Sequence, residues 1–216
     1  MMMKIKIKSS FIDTDVILKI GGYSGEKLLS KVLSSFGYNL YIHEYLIQEE
    51  LIFGESLLEQ LQAMISANEI TVMGIADLTE IELREYNSTI QLLANEMKVD
   101  LTKKRDKDAG EVKSMALAFT KNFNYFISDD CGARVAAKKH LQKLDGSYLQ
   151  TIRMKDVIIH IRDNEKKLGI NRKIAKRLYL QGTSRKLASN QAEKRKLERI
   201  RGILKNEFDE KLWTIK

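Results

Sequence analysis

The 216-residue sequence contains no proline and a single cysteine. Average usage of about 5% would give about ten prolines, so polyproline linkers and cis-proline turns are excluded. The lone Cys131 excludes a disulfide framework and a cysteine-based zinc site, and it indicates a reducing compartment. The three histidines, His43, His140 and His160, are scattered along the chain, which argues against a histidine-rich metal cluster.

Long apolar runs are also absent from the chain. The first eight residues are basic, but the apolar run that follows is interrupted by Asp13 and Asp15. A secretory signal tolerates neither acid there, and no stretch approaches the ~18 apolar residues that a membrane span needs. We therefore expect a soluble, cytoplasmic protein that has no membrane partner.

The charge is distributed unevenly, although the net value is only +8. Residues 1–150 hold 18 basic and 21 acidic side chains, a balance of −3, whereas residues 151–216 hold 19 basic and 8 acidic, a balance of +11. We predict two domains with these bounds, a body at 1–150 and a basic extension at 151–216.

Strand-like and helix-like patterns alternate through the first 150 residues. Short apolar runs predict strands at 10–13, 40–42, 69–73 and 125–128, with a last strand near 148–150. Helical spacing lies between them, and it predicts a long helix over 78–98 and another over 109–122. This alternation is typical of an α/β fold with a parallel sheet and helices on both faces, a three-layer α/β/α arrangement. Beyond the last strand the pattern is entirely helical.

Acidic residues recur where the predicted strands end or where the next helix begins. Ligands bind at the carboxyl ends of the strands in open parallel sheets, so we expect these acids to face one edge. In chain order they are Asp13 with Asp15, Glu49 with Glu50, Asp108 with Glu111, and Asp129 with Asp130.

Clustered carboxylates repel one another unless a cation joins them. Hard oxygen ligands select Mg²⁺ or Mn²⁺, and such an ion supports phosphodiester hydrolysis without a covalent nucleophile. Other roles are open for each residue alone: an Asp after a strand can cap a helix, Glu49 and Glu50 can form a solvated face, and Glu111 can compensate the helix dipole. Arg134 could be a surface ion-pair partner or a phosphate contact.

Four segments resemble the motifs of PIN-domain nucleases, in order and at similar spacing, over residues 9–145. The third and fourth resemble the branch with Gly-Glu and Asp-Asp-x-x-Ala-Arg. The segments are Phe11-Ile-Asp-Thr-Asp-Val-Ile-Leu18, Ile47-Gln-Glu-Glu-Leu51, Asp108-Ala-Gly-Glu-Val-Lys-Ser-Met-Ala-Leu-Ala118 and Phe126-Ile-Ser-Asp-Asp-Cys-Gly-Ala-Arg-Val-Ala136.

The resemblance implies a three-layer fold and a Mg²⁺- or Mn²⁺-dependent ribonuclease. Its acidic quartet would be Asp13, Glu50, Glu111 and either Asp129 or Asp130. Ser-x-Asp spacing favours Asp130, whereas the position directly after the strand favours Asp129. Thr14, Ser128, Asp15 and Asp108 would support the metal or its waters. Glu111 stands where Asp is commoner, so the side chain there is one methylene longer.

The basic extension could be a solvated helical surface, a nucleic-acid-binding module or a contact for an acidic partner. We prefer a surface that helps to hold nucleic acid, through Lys194, Arg201 and Lys205 together with Arg134. The expected function is a metal-dependent endoribonuclease, either a toxin of a toxin–antitoxin pair or an RNA-processing enzyme. The expected partners are RNA in preference to DNA, an antitoxin-like protein and a second copy of the chain. The alternatives are a catalytically silent PIN-like nucleic-acid-binding or regulatory protein and a structure-specific DNA nuclease.

Overall fold

The computed structural model describes residues 9–22, 28–37, 39–50, 55–103, 106, 108–143, 146–181, 183 and 189–214, with only the backbone described at Glu49, Glu50 and Glu55. The chain divides into two compact units. Among the described residues, the first unit ends at Arg153 and the second begins at Met154. That the two parts are separate domains, as the charge asymmetry indicates, stays a prediction.

The first unit contains a five-stranded sheet in which every pairing is parallel, so the predicted α/β class is confirmed. The strands lie in the order β3-β2-β1-β4-β5. The last strand begins two residues later than the predicted start, because Tyr148 instead forms an isolated antiparallel bridge with Gln142. The bounds are β1 Ser9–Ile12, β2 Asn39–His43, β3 Ile70–Met73, β4 Tyr125–Ile127 and β5 Gln150–Ile152.

Helices connect successive strands, as a parallel sheet requires. The predicted long helix is α4, which begins at a capping box in which Thr79 accepts the Glu82 N–H and Glu82 accepts the Thr79 N–H. A π-helix at Leu46–Glu50 follows β2, and short 3-10 turns lie at Ser34–Phe36 and Ile75–Asp77. The α-helices of this unit are α1 Thr14–Gly21, α2 Leu28–Leu33, α3 Glu55–Ser66, α4 Glu80–Met97, α5 Ala109–Thr120 and α6 Cys131–His140.

The sheet buries both of its faces. Phe11 and Phe126 pack into one core with residues of α4, α5 and α6, whereas Ile12 and Ile127, the next residues along the same strands, are fully buried and point to the other face. Helices α1, α2 and α3 contact one another, and α3 contacts β3. This arrangement is compatible with the three-layer α/β/α fold.

The strand register fixes which residues meet at the carboxyl edge of the sheet. Phe11 is opposite Tyr41, and Ile12 is opposite Ile127, so the residues that follow place Asp13 between His43 and Ser128. The Asp13 N–H donates to the Ile127 carbonyl at 2.9 Å, which extends the ladder to the end of β1. The connections from β1 proceed towards β2 and β3, while those from β4 proceed the other way, so β1 and β4 flank the switch point of the sheet.

The second unit is helical in its described part. Its core includes Val157, Ile161 and Leu178, and a C-terminal π-helix at Phe208–Leu212 packs against it. The Phe208 ring is fully buried and stacks on Trp213, with the ring centroids 5.5 Å apart. The α-helices are α7 Met154–Asp163, α8 Glu165–Leu168, α9 Arg172–Tyr179 and α10 Gln191–Glu207.

Within the described parts of both units, no helix has the length and apolar character needed to cross a bilayer.

Candidate active site

Asp13 lies directly after β1 and begins α1. It occupies the N-cap position with extended backbone angles, yet its carboxylate makes no capping hydrogen bond to the described residues of that helix. The side chain is only 4% exposed, and the Ser128 hydroxyl lies 3.4 Å from its Oδ2. The open alternative that Asp13 serves as an ordinary cap is therefore wrong, and its carboxylate faces the sheet edge instead.

Glu111 reaches the same edge from the first turn of α5. Ten of the twelve residues of this helix are buried, because α5 packs between α4 and the sheet. Glu111 is consequently only 6% exposed. A carboxylate used merely to compensate a helix dipole would lie at the surface, so burial separates Glu111 from that role.

Ser128 connects the two carboxylates. It follows β4, is fully buried, and its Oγ lies 2.5 Å from Glu111 Oε1. The same oxygen accepts the Asp130 N–H at 3.1 Å. Because a hydroxyl has a single proton, Ser128 donates to Glu111 and holds Asp13 at a longer distance.

The electrostatics of the pair favour one retained proton. Burial, followed by the nearby negative charge of Asp13, raises the pKa of the Glu111 carboxyl to about 9, and the charge of Asp130 contributes in the same direction. Two carboxyl groups in contact cannot both be ionised at low cost in a buried site. The Glu111 carboxyl therefore keeps its proton at neutral pH unless a cation replaces it.

The two candidates for the fourth acid have different surroundings. Asp129 is exposed and forms an ion pair with Lys19 of α1 at 2.9 Å. Asp130 is half-buried, adds to the negative field at Glu111, and its Oδ1 caps α6 by accepting the Ala133 N–H at 2.9 Å. Asp130 therefore has the closer electrostatic connection to the pair, and it serves as a helix cap at the same time.

Lys19 pairs with two further acids. Burial alone would lower the pKa of Lys19, but the carboxylates of Asp129 and Asp15 together raise it. Asp15 lies on the exposed side of α1, with its Oδ2 3.5 Å from Lys19 Nζ. Asp15 and Asp129 therefore share Lys19 as an ion-pair partner, and their part in a metal site stays a prediction.

The other predicted site residues lie in several places. Thr14 is buried beside Asp13, at 8% exposure. Asp108 precedes α5 with a left-handed backbone and makes no capping bond to the described residues of that helix. Arg134 donates to Cys131 Sγ at 3.3 Å on the surface of α6. The side chains of Glu49 and Glu50, which include one member of the predicted quartet, lie outside the described part of the structure.

His43 also lies at this edge, and the sequence analysis did not assign it a role. It ends β2, is 2% exposed, and its Nδ1 accepts the Tyr45 N–H at 3.0 Å. Burial and the charge of Lys113 lower the pKa of His43 to about 4, so the ring is neutral at physiological pH. Its Nε2 lies 3.5 Å from the Tyr86 hydroxyl, whose pKa is raised by burial. The sequence signal for His43 was strand alternation, which puts His43 on the same face of the sheet as Tyr41.

The donor chemistry of the pair fits a hard divalent cation. Among the described side chains, no group of three His, Cys, Asp or Glu residues is close enough to hold a metal ion. Mg²⁺, however, usually keeps several waters and is held by one or two carboxylates. Asp13 and Glu111 provide two buried carboxyl groups, and Ser128 adds a hydroxyl oxygen.

Comparison with known proteins finds no family model, no curated protein and no solved structure that matches this chain.

Proposed function

We propose that the chain is a PIN-like nuclease that hydrolyses RNA phosphodiesters with Mg²⁺ or Mn²⁺. The observation that carries the proposal is the buried pair of Asp13 and Glu111, joined through Ser128 at the switch point of a parallel sheet. The four motifs in family order support the same assignment. An acid pair buried at such a position has a cost in stability, which a bound cation would remove.

The roles of the protein residues follow from their surroundings. Asp13 and Glu111 would hold the cation, and Ser128 keeps the Glu111 carboxyl oriented towards Asp13. Asp130 strengthens the negative potential at Glu111. When bound, Mg²⁺ or Mn²⁺ would supply Lewis-acid stabilisation of the phosphate and an activated water. Glu50, the remaining member of the proposed quartet, belongs to this assignment by its motif alone.

A cleavage assay with a mixed pool of RNAs, and DNA of matching sequence, tests the proposal. Asp13→Asn and Glu111→Gln should each lower Mg²⁺-dependent RNA cleavage by about 10³-fold or more, because each removes a charge that holds the cation. Asp130→Asn should lower cleavage more than Asp129→Asn. Asp15→Asn is the matched control, since its carboxylate is exposed and paired with Lys19; it should change the rate by less than about threefold.

Normal cleavage by both Asp13→Asn and Glu111→Gln would overturn the proposal. Efficient cleavage of DNA but not RNA would favour a DNA nuclease. The catalytically silent alternative is favoured by one observation, the exposed basic helix α10. It predicts nucleic-acid binding without cleavage in any divalent cation. The toxin role and an antitoxin-like partner are tested by growth arrest on expression and its relief by a neighbouring gene product.

A further inference from the structure

Helix α10 has a burial pattern that differs from that of α4, a helix of similar length. Helix α4 spans 18 residues and buries five of them, as a helix that covers a core should. Helix α10 spans 17 residues and buries none. Most of α10 therefore gains little from packing against the described part of its own chain.

Local contacts explain why α10 can form without a core. The Asn190 side chain accepts the Glu193 N–H at 2.9 Å, and the Glu193 side chain accepts the Ser189 N–H at 2.6 Å. Two backbone N–H groups at the start of the helix therefore have partners. The other end continues into the π-helix that the buried Phe208 anchors. Between these anchors lies a partly exposed apolar stripe, comprising Leu197, Ile200 and Leu204.

The charge of α10 is strongly unbalanced. The helix carries six basic and three acidic side chains. Arg195 and Arg199 are four residues apart, as are Arg201 and Lys205, and like charges at this spacing destabilise an isolated helix. A partner with closely spaced negative charges would remove that repulsion. Uniform negative charge along a polymer is the property of a nucleic-acid backbone.

The positions of the basic residues suit such a partner. At 100° per residue, Lys194, Arg201 and Lys205 fall within about 40° of one another on the helix surface, beside the apolar stripe. They lie within 12 consecutive residues, with the first and last roughly 16 Å apart along the helix axis. All three are exposed, and no ion pair joins any of them to a described residue.

We propose that α10 is a docking surface for the phosphate backbone of nucleic acid, with Lys194, Arg201 and Lys205 as its principal contacts. The surface would hold the polymer through charge alone, because phosphate contacts carry no sequence information. RNA and DNA therefore share the chemistry that α10 recognises. This inference extends the proposed nuclease function, and it can fail or succeed separately from it.

Binding by the full chain with Glu111→Gln, measured without divalent cations, tests the inference. The probe is a fluorescently labelled 20-nucleotide single strand, used as RNA and as DNA, and its anisotropy gives Kd between 50 and 300 mM NaCl. Replacing Lys194, Arg201 and Lys205 together by Gln should weaken binding of both strands on the order of 100-fold at 0.1 M salt. The slope of log K against log salt should fall by about 2, at roughly 0.7 per lost contact.

The control variant removes the same amount of charge elsewhere. Lys138, Lys166 and Lys173 are exposed and lie outside α10, so their joint replacement by Gln should weaken binding less than threefold. Replacement of Lys194 and Lys205 by Arg keeps the charge and should preserve affinity. Circular dichroism should show the same helix content in every variant, because the changed side chains are exposed.

Equal weakening by the α10 variant and the control would overturn the inference, as would an unchanged salt slope. Loss of a dimer in the α10 variant, with RNA affinity unchanged, would overturn it in favour of a second copy of the chain. The nuclease proposal fails by a separate result, in which the wild type does not cut RNA in Mg²⁺. That result does not depend on whether the α10 variant loses affinity.

Discussion

The edge of the sheet and helix α10 both concentrate charge, but they do so in opposite environments. Asp13 and Glu111 are 4% and 6% exposed, and the Ser128 hydroxyl contacts both carboxyl groups. The basic residues of α10 are exposed to solvent. A buried charge changes its protonation to suit the surrounding protein, whereas an exposed charge is screened by salt. The stability of the first region should therefore depend on pH, and the binding properties of the second on ionic strength.

The largest expected effect concerns the alkaline side of the stability profile. The Glu111 pKa is raised from its ordinary value to about 9, so between these values the folded state binds more protons than the unfolded state. Stability should therefore fall as the pH rises from about 5 to 9, by on the order of 4 kcal/mol. Urea unfolding in EDTA at a series of pH values measures this free energy of unfolding. Glu111→Gln should flatten this fall, whereas Glu198→Gln on exposed α10 should leave it unchanged.

Equal pH profiles for wild type and Glu111→Gln would contradict the raised pKa of Glu111. The stability of the sheet edge would then be as insensitive to alkaline pH as that of α10. Adding Mg²⁺ to the wild type should itself reduce the alkaline loss, since a cation bound to the folded state alone stabilises it.

A smaller effect is expected on the acidic side, from His43. Its pKa is lowered to about 4, and the groups that face it are Lys113 of α5, Tyr86 of α4 and the Tyr45 N–H. The unfolded state binds more protons between about pH 6.5 and 4, so stability should fall as the pH falls through that window, by roughly 3 kcal/mol. His43→Asn keeps an acceptor for the Tyr45 N–H and should remove this acid dependence.

His140 provides the matched control for His43. Its Nε2 lies 2.8 Å from Glu96 at a partly exposed position, so His140→Asn should keep most of the acid loss. An unfolding profile of His43→Asn that still drops by the wild-type amount below pH 6.5 would assign the acid sensitivity to other groups.

The smallest effect distinguishes a helix held by a core from one held by its cap. Asn190→Ala removes the N-cap of α10 and should lower the local stability of the helix by about 1 kcal/mol. Amide exchange in its first turns should therefore become about fivefold faster. Thr79→Ala removes the equivalent bond of α4, where five buried residues hold the helix, so its exchange should change less. Hydrogen exchange of the two helices measures both. Similar acceleration in α4 would show that packing does not distinguish them.

Much of the fold could be predicted from local pattern. Apolar runs between helical segments identify a parallel sheet, and the rule that ligands lie at its carboxyl ends predicts that Asp13 and Glu111 face one edge, whereas Ser128 was indicated by its motif alone. The start of β5 was misplaced because Tyr148 is apolar enough to resemble a strand, yet it pairs with Gln142 in a turn.

Contacts between residues distant in sequence could not be predicted in this way. The pairing of Asp129 with Lys19 joins residues 110 positions apart, at the carboxyl end of β4 and on α1. His43 is buried against Tyr86, which is 43 positions away on another helix. The stripe Leu197, Ile200 and Leu204 resembles a core face, but each of these residues is only half-buried. Periodicity shows that a helix has an apolar side, and it does not show what covers that side.

The place of β1 in the middle of the sheet has a consequence during synthesis of the chain. β2 follows β1 within about 30 residues, but Ser128 is 115 positions from Asp13. A chain still being elongated can pair β1 with β2, and β2 with β3, long before β4 emerges, because short loops close at lower entropic cost. The connection between the two acids is therefore completed only when most of the first unit has been made. A nascent chain that lacks β4 also lacks Ser128, the hydroxyl that joins Asp13 and Glu111, so the site is incomplete until β4 pairs with β1.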